Sequence, residues 1–110
     1  MTTEENIGKG KNMAIVAYLT ILGSIIAIIM NSDMKNPFTS FHAKQGLGLN
    51  LTYLIVGYFV SSFDSFAISI GFWIAMGVFF MYGLYSAVTG SCKEVPVLGP
   101  IFQKLFATIT

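Results

Sequence analysis

No arginine occurs in the sequence, and its six cations are all lysines, at positions 9, 11, 35, 44, 93 and 104. Charged residues make up only 10% of the chain, against about 25% in an average soluble domain. With five Asp and Glu the formal net charge is +1, which excludes a basic footprint for nucleic acid or an electrostatic docking patch. A single cysteine, Cys92, excludes an internal disulfide and leaves the redox compartment unread. The one histidine, His42, lies on a different segment from Cys92 with no chelating spacing, so neither a metal site nor a cofactor is expected. Asp33 and Asp64 are expected at opposite faces of a membrane, a bilayer apart, and cannot work as an acid–base pair. Gly46-Leu47-Gly48 lies inside a helical pattern, unlike a phosphate loop. These absences argue against an enzyme.

Apolar residues fill the space that charge leaves. They are 55% of 110 residues, with mean hydropathy +0.73. A chain this short buries only about 60–65% of its unfolded surface on folding, so lipid must cover part of the rest. Uncharged runs of 21, 19 and 28 residues separate Lys11 from Asp33, Lys44 from Asp64, and Asp64 from Lys93. Each matches the roughly 20 helical residues that cross a bilayer core of about 30 Å. The sequence therefore predicts an all-α membrane protein of three transmembrane helices, at about 13–30, 46–63 and 65–90. The leader at 1–12 mixes Glu4 and Glu5 with Lys9 and Lys11, and no small-x-small cleavage site follows Met30. The first span is thus expected as a retained helix rather than a signal peptide.

The domain reading is a polar N-terminal tail (1–12), a transmembrane domain (13–94) and an amphipathic C-terminal segment (95–110). Asn31 to Pro37 form a hinge, with Thr39 or Ser40 as N-cap of the second helix. Ser61 to Ser65 form a tight connection, making the second and third helices antiparallel neighbours. In the tail, Pro100 suits a first helical position. Phe102, Leu105, Phe106 and Ile109 then share one side, giving a surface helix too short to span; a re-entrant segment is the alternative. With three spans, two lysines fall on the N-terminal side and four on the other, which favours N-out and C-in.

Two patterns could carry function. His42, Gln45, Gly46, Asn50, Tyr53 and Gly57 line one polar and small-residue stripe of the second helix. Polar groups inside a span face protein or water rather than lipid. The stripe therefore either bonds a neighbouring helix or lines a polar pathway with His42 as its titratable group. Ala67, Gly71 and Ala75 form a small-residue groove on the third helix, suited to close packing within the chain or against a partner.

The string Asn36-Pro37-Phe38-Thr39-Ser40-Phe41-His42-Ala43-Lys44-Gln45-Gly46-Leu47 resembles small bacterial membrane proteins that are similar to the chloroplast inner-envelope import component Tic of about twenty kilodaltons. His42, Ala43, Lys44 and Gln45 carry the resemblance, and Lys93 to Pro100 is similar to that family's closing segment. The resemblance implies a helical, multi-pass protein of the bacterial inner (cytoplasmic) membrane, and through the plastid relatives a translocation role. The residues themselves favour a small non-enzymatic subunit packing against a larger membrane complex. A transport channel assembled by self-association around the His42–Asn50 stripe is the alternative, and a surface sensor acting through Phe102 and Phe106 is a third reading. The expected partners are the lipid bilayer and other membrane subunits or further copies of the chain.

Overall fold

The computed structural model describes residues 4–107, and their regular structure is entirely helical. In chain order the helices are α1 (Glu4–Leu19), α2 (Ile21–Met34), α3 (Pro37–Ser61), α4 (Phe66–Val88) and α5 (Leu98–Leu105). The stretch expected as one crossing at 13–30 is instead two helices that meet at Thr20. This residue is extended, at φ −155° and ψ 171°, and its side chain accepts a hydrogen bond from the Gly23 N–H at 3.1 Å, capping α2. In an unbroken helix the Ala17 carbonyl would receive the Ile21 N–H. Here it accepts from Ser24 Oγ at 2.6 Å and from Asn50 Nδ2 at 3.4 Å. α2 then folds back along α1 so closely that a Cβ on Gly23 would collide with the Val16 carbonyl oxygen.

The return brings Asn36 beside the start of α1, where its Nδ2 donates to the Asn6 carbonyl at 2.7 Å. Asn36 Oδ1 accepts from the N–H groups of Phe38 and Thr39 at 2.9 and 3.2 Å. Asn36, not Thr39 or Ser40, is therefore the N-cap of α3, with Pro37 in the first turn where its missing N–H costs nothing. α3 runs in the same direction as α1. Thr39 Oγ1 donates to the Gly10 carbonyl at 3.1 Å, and Gly46 lies against the Ala17 carbonyl. Beyond Asn50, α3 outreaches the α1–α2 hairpin and pairs with α4 through Tyr53 and Phe72, whose rings stack at 5.9 Å. α4 returns antiparallel, and its Gly83 receives the ring of Tyr18.

Two further expectations change. Among the described residues, α4 is the one helix both long and apolar enough to cross a membrane by itself. Three such spans are not present, because 13–30 is broken and α3 opens with His42, Lys44 and Gln45. With the extra turn at Thr20, the N-terminal residues and the C-terminal segment come to the same end of the molecule. A Cβ on Gly90 would lie 3.1 Å from Ile7 Cγ2, so the two ends are not set apart as an odd number of crossings requires. The tail also differs. α5 begins at Leu98 rather than Pro100 and is docked, its Phe102 ring lying against Gly48 and its Gln103 Nε2 donating to the Phe41 carbonyl at 3.0 Å.

The molecule measures 48 × 23 × 21 Å, its long axis close to the roughly 40–45 Å of a bilayer with its headgroups. Its surface is apolar where a soluble protein's is polar, and polar side chains share the interior with the apolar core. Phe66, Met81 and Leu22 are 82%, 66% and 68% exposed, whereas Ser24, Asn31, Thr39, His42 and Gln45 are 0% exposed. Such a distribution suits a surround of lipid, where polar groups turn inward to find partners.

The helices approach most closely where glycine lacks a Cβ. A Cβ on Gly46 would strike the Ala17 backbone, which cannot swing away, whereas one on Gly71 meets nothing within 4 Å. Gly46→Ala is expected to cost more than about 2 kcal/mol. Gly71→Ala should be neutral or stabilise by up to about 1 kcal/mol through helix propensity. Unfolding midpoints in detergent micelles check the pair, and equal midpoints would contradict the packing.

Candidate functional site

The polar residues of α3 do not share one environment. His42 and Gln45 join Tyr18 of α1 and residues 91–95 in one connected set of hydrogen bonds. His42 Nε2 lies 2.7 Å from the Ser91 carbonyl, which can only accept, so Nε2 carries the proton. Nδ1 is then an acceptor and receives the Tyr18 hydroxyl at 2.6 Å. Tyr18 Oη in turn accepts from Gln45 Nε2 at 2.7 Å, and Gln45 Oε1 accepts from the Val95 N–H at 2.8 Å. Every donor meets an acceptor with the imidazole neutral. A second proton on His42 would set Nδ1–H against the Tyr18 hydroxyl hydrogen and break the order. The His42 ring is also held edge-on by Tyr18, Phe38 and Phe41, at centroid distances of 5.5, 4.7 and 5.0 Å.

The segment after α4 is drawn in by the same set. Ser86 Oγ donates to the Ser91 carbonyl and accepts from the Lys93 N–H, both at 2.9 Å. Val95, 0% exposed, is fixed between its bond to Gln45 and the apolar core around Phe38, Leu49 and Phe102. These groups are saturated by one another, so the arrangement holds the chain together and leaves no unoccupied base or nucleophile. Near the charged tail, Lys9 pairs with Glu5 at 2.9 Å and holds its carboxyl below the ordinary range, first by hydrogen bonding and then by charge. Both partners are exposed, so the pair adds little to stability.

One turn further along α3 the partners change. Asn50 Nδ2 donates to the Gly46 carbonyl at 2.9 Å, to Ser24 Oγ at 3.0 Å and, more weakly, to the Ala17 carbonyl. Tyr53 is half-exposed, and Gly57 lies against Phe72. Asn50 and Tyr53 line a cleft of about 440 Å³ with Trp73, Met76, Gly77 and Phe80 of α4 and with Tyr18 and Leu19. Ala67, Gly71 and Ala75 face outward, away from the other helices. In the tail, Phe102 is buried, Phe106 half-buried and Leu105 exposed, while Ile109 lies outside the described residues. Among the described residues no three His, Cys, Asp or Glu side chains gather as metal ligands.

Tyr18, Ser24 and Ser86 complete the site, and the stripe on α3 did not point to them. Their signal was present: they are polar residues within apolar stretches, and such residues need partners in one another.

Gln45→Leu removes the acceptor of the Val95 N–H and the donor to Tyr18. Hydrogen exchange at the Val95 amide should quicken at least about tenfold as the segment loosens, while Gln45→Glu keeps the acceptor and most of the protection. Unchanged exchange in Gln45→Leu would show that this bond does not hold the segment.

The comparison with protein families corrects the resemblance to the import component. A model described as the magnetosome magnetite crystal formation protein family (MamF/MmsF) matches residues 9–102, which takes in α2 to α4 and most of α1 and α5. No curated protein and no solved structure matches the chain. The His42-Ala43-Lys44-Gln45 string is thus not the mark of an import component, and its first and last members serve here to join α1, α3 and the segment after α4. With a match over most of its length, the chain belongs to the magnetosome magnetite crystal formation protein family.

Proposed function

We propose that this chain is a small non-enzymatic membrane subunit that takes part in magnetite crystal formation by packing in the magnetosome membrane against other proteins of that membrane. In this reading α3 crosses beside α4, since a tight turn joins the two helices antiparallel and carries them through the same depth. The α1–α2 hairpin enters from one side and leaves by it. At about 1.5 Å per residue its helices of 16 and 14 residues reach about 24 and 21 Å, short of a core of about 30 Å.

The observation that carries the proposal is the segregation of charge. All six lysines lie in α1, at the α2–α3 junction, in the first turns of α3, or in the segment that packs back on them. Asp64 is the one charged residue of the α3–α4 turn at the far end. The positive-inside rule then puts the lysine-bearing end in the cytoplasm, with the N-terminal tail and α5 together on that side. Asp64 and the hydroxyls of Ser61, Ser62 and Ser65 face the opposite side, where a mineral enclosed by the membrane would meet them. Carboxylate and hydroxyl oxygens are the hard donors that iron ions accept. A channel around His42 and Asn50 has less support, because the chain's own groups already bond the polar hydrogens of both side chains.

Cys92, exposed at the lysine-bearing end, reports the sidedness. A membrane-impermeant maleimide should label it only from the cytoplasmic face of oriented vesicles, and Ser62→Cys in a Cys92→Ser background only from the other; labelling of both from one face ends the two-crossing reading. Asp64→Asn should alter crystal size in cells, seen by electron microscopy, at unchanged protein level. Crystals identical to the parent's would remove the turn from the proposal.

A further inference from the structure

The cleft between α3, α4 and the Thr20 turn has one feature that ordinary packing does not supply. Asn50 is only 7% exposed, and its amide orientation is fixed, because two of the three groups its Nδ2 reaches are backbone carbonyls that can only accept. Its Oδ1 must therefore be the free end. That atom has no hydrogen-bond partner among the described residues, yet it is not sealed off, and Asn50 lines the cleft. Tyr18 of α1, Tyr53 of α3 and Trp73, Met76 and Phe80 of α4 are among the residues that line the cleft with it. Asn50 lies about 20 Å along α3 from Pro37 at about 1.5 Å per residue, deep in the hydrocarbon if α3 crosses.

A volume of about 440 Å³ is that of a small-molecule site. A lipid acyl chain filling it would cover an acceptor and give it no donor. A water held between Asn50 Oδ1 and a tyrosine hydroxyl would fill only about 30 Å³ of that volume and leave the aromatic lining uncovered. What the lining matches is a flat ring with one hydroxyl: aromatic walls for the ring, a fixed acceptor for the O–H, and a lipid-side mouth for entry.

We propose that this cleft binds a lipid-soluble phenol, its hydroxyl donating to Asn50 Oδ1 and its ring lying among Tyr53, Trp73 and Phe80. The site meets the buried set around His42 only at Tyr18, which lines it, and is separate from the Asp64 turn, so its test does not depend on the role in crystal formation.

Trp73 is the only tryptophan of the chain and lines the cleft, so its fluorescence reports occupancy directly. Purified protein in detergent micelles would be titrated with 4-butylphenol and with 4-butylanisole, which keeps the ring and tail but has no donor. The phenol should change the Trp73 emission saturably, with the anisole at least about tenfold weaker. In Asn50→Leu the two should become equal, provided helix content and unfolding midpoint show a folded protein. If that variant does not fold, the comparison on the unaltered chain decides alone. Equal affinity of the two compounds for the unaltered chain, a response that never saturates, or a phenol preference that persists in folded Asn50→Leu would overturn the proposal and leave the cleft to lipid chains.

Discussion

When α1 stops at Leu19 its last carbonyls lose the donors that a continuing helix would supply. Water would replace them in a soluble protein; lipid cannot, and each unmet group is costly there. The chain answers at the Ala17 carbonyl with two side chains brought from elsewhere, Ser24 from α2 and Asn50 from α3. Most of the architecture depends on that meeting. It requires glycine at 23 and 46, because any Cβ at either position would occupy the space of the α1 backbone. It turns the first apolar stretch back on itself, so the molecule has a hairpin where a crossing was expected. It also returns α2 to the start of α1, where Asn36 can bond Asn6 and cap α3 at once.

The same logic orders the other end of the interior. Polar residues there are not scattered: apart from the buried Asn31 Nδ2, which has no partner among the described residues, they form sets in which donor meets acceptor, and in a low dielectric such sets are strong when complete and damaging when not. Tyr18, His42 and Gln45 make one of them, and its outward bonds go to backbone groups of residues 91–95. The C-terminal segment is thereby a structural part of the bundle. Its fixation at both ends, by Gln45 on Val95 and by Gly48 under Phe102, accounts for an otherwise costly backbone at Val97. That residue sits at φ 69° and ψ −53°, in a γ-turn closed by Leu98 N–H to the Pro96 carbonyl at 2.7 Å. A β-branched residue adopts this rare turn only where its surroundings over-determine it.

How much of this was legible follows from what each signal measures. Hydropathy and charge spacing register the cost of moving residues into lipid, so they find apolar stretches and the Ser61–Ser65 turn with its serines and aspartate. They do not register a break made by Thr20, which is uncharged and which lipid tolerates. The pattern Thr20-x-x-Gly23-Ser24 is a capping signal, but it reads equally as a polar spot in a continuous span. Spacing on α3 placed His42, Gln45, Gly46 and Asn50 on one face because helical period is local. It could not say that the first two would meet Tyr18 and residue 91 while Asn50 met Ser24, since that depends on where α1 ends. The docking of the tail was hidden for a related reason. The apolar side of 101–106 is the same whether it lies on lipid or on Gly48, and Ala67, Gly71 and Ala75 repeat every four residues whichever way they face.

The borrowed resemblance shows where a short motif stops being informative. Within His42-Ala43-Lys44-Gln45, His42 and Gln45 hold the residues after α4, and Ala43 is small and buried where α1, α2 and α3 meet. Three of its four residues are thus occupied with scaffolding, which any protein with this arrangement of helices would need whatever its activity. A motif of that kind travels with the fold. Features that the scaffold does not use are better guides to function: the isolated Asp64 at the far turn, and the unbonded Asn50 Oδ1 in its aromatic cleft. Asp64 is not required to close the bundle, and a change there would leave the carbonyl of Ala17 and the Tyr18–His42–Gln45 set intact; at Asn50 only the Oδ1 is spare, since the Nδ2 of the same side chain bonds the Ala17 carbonyl. Variation at Asp64, and in the aromatic lining around Asn50 rather than at Asn50 itself, is therefore where relatives with this bundle can diverge in activity without first losing the structure that presents it.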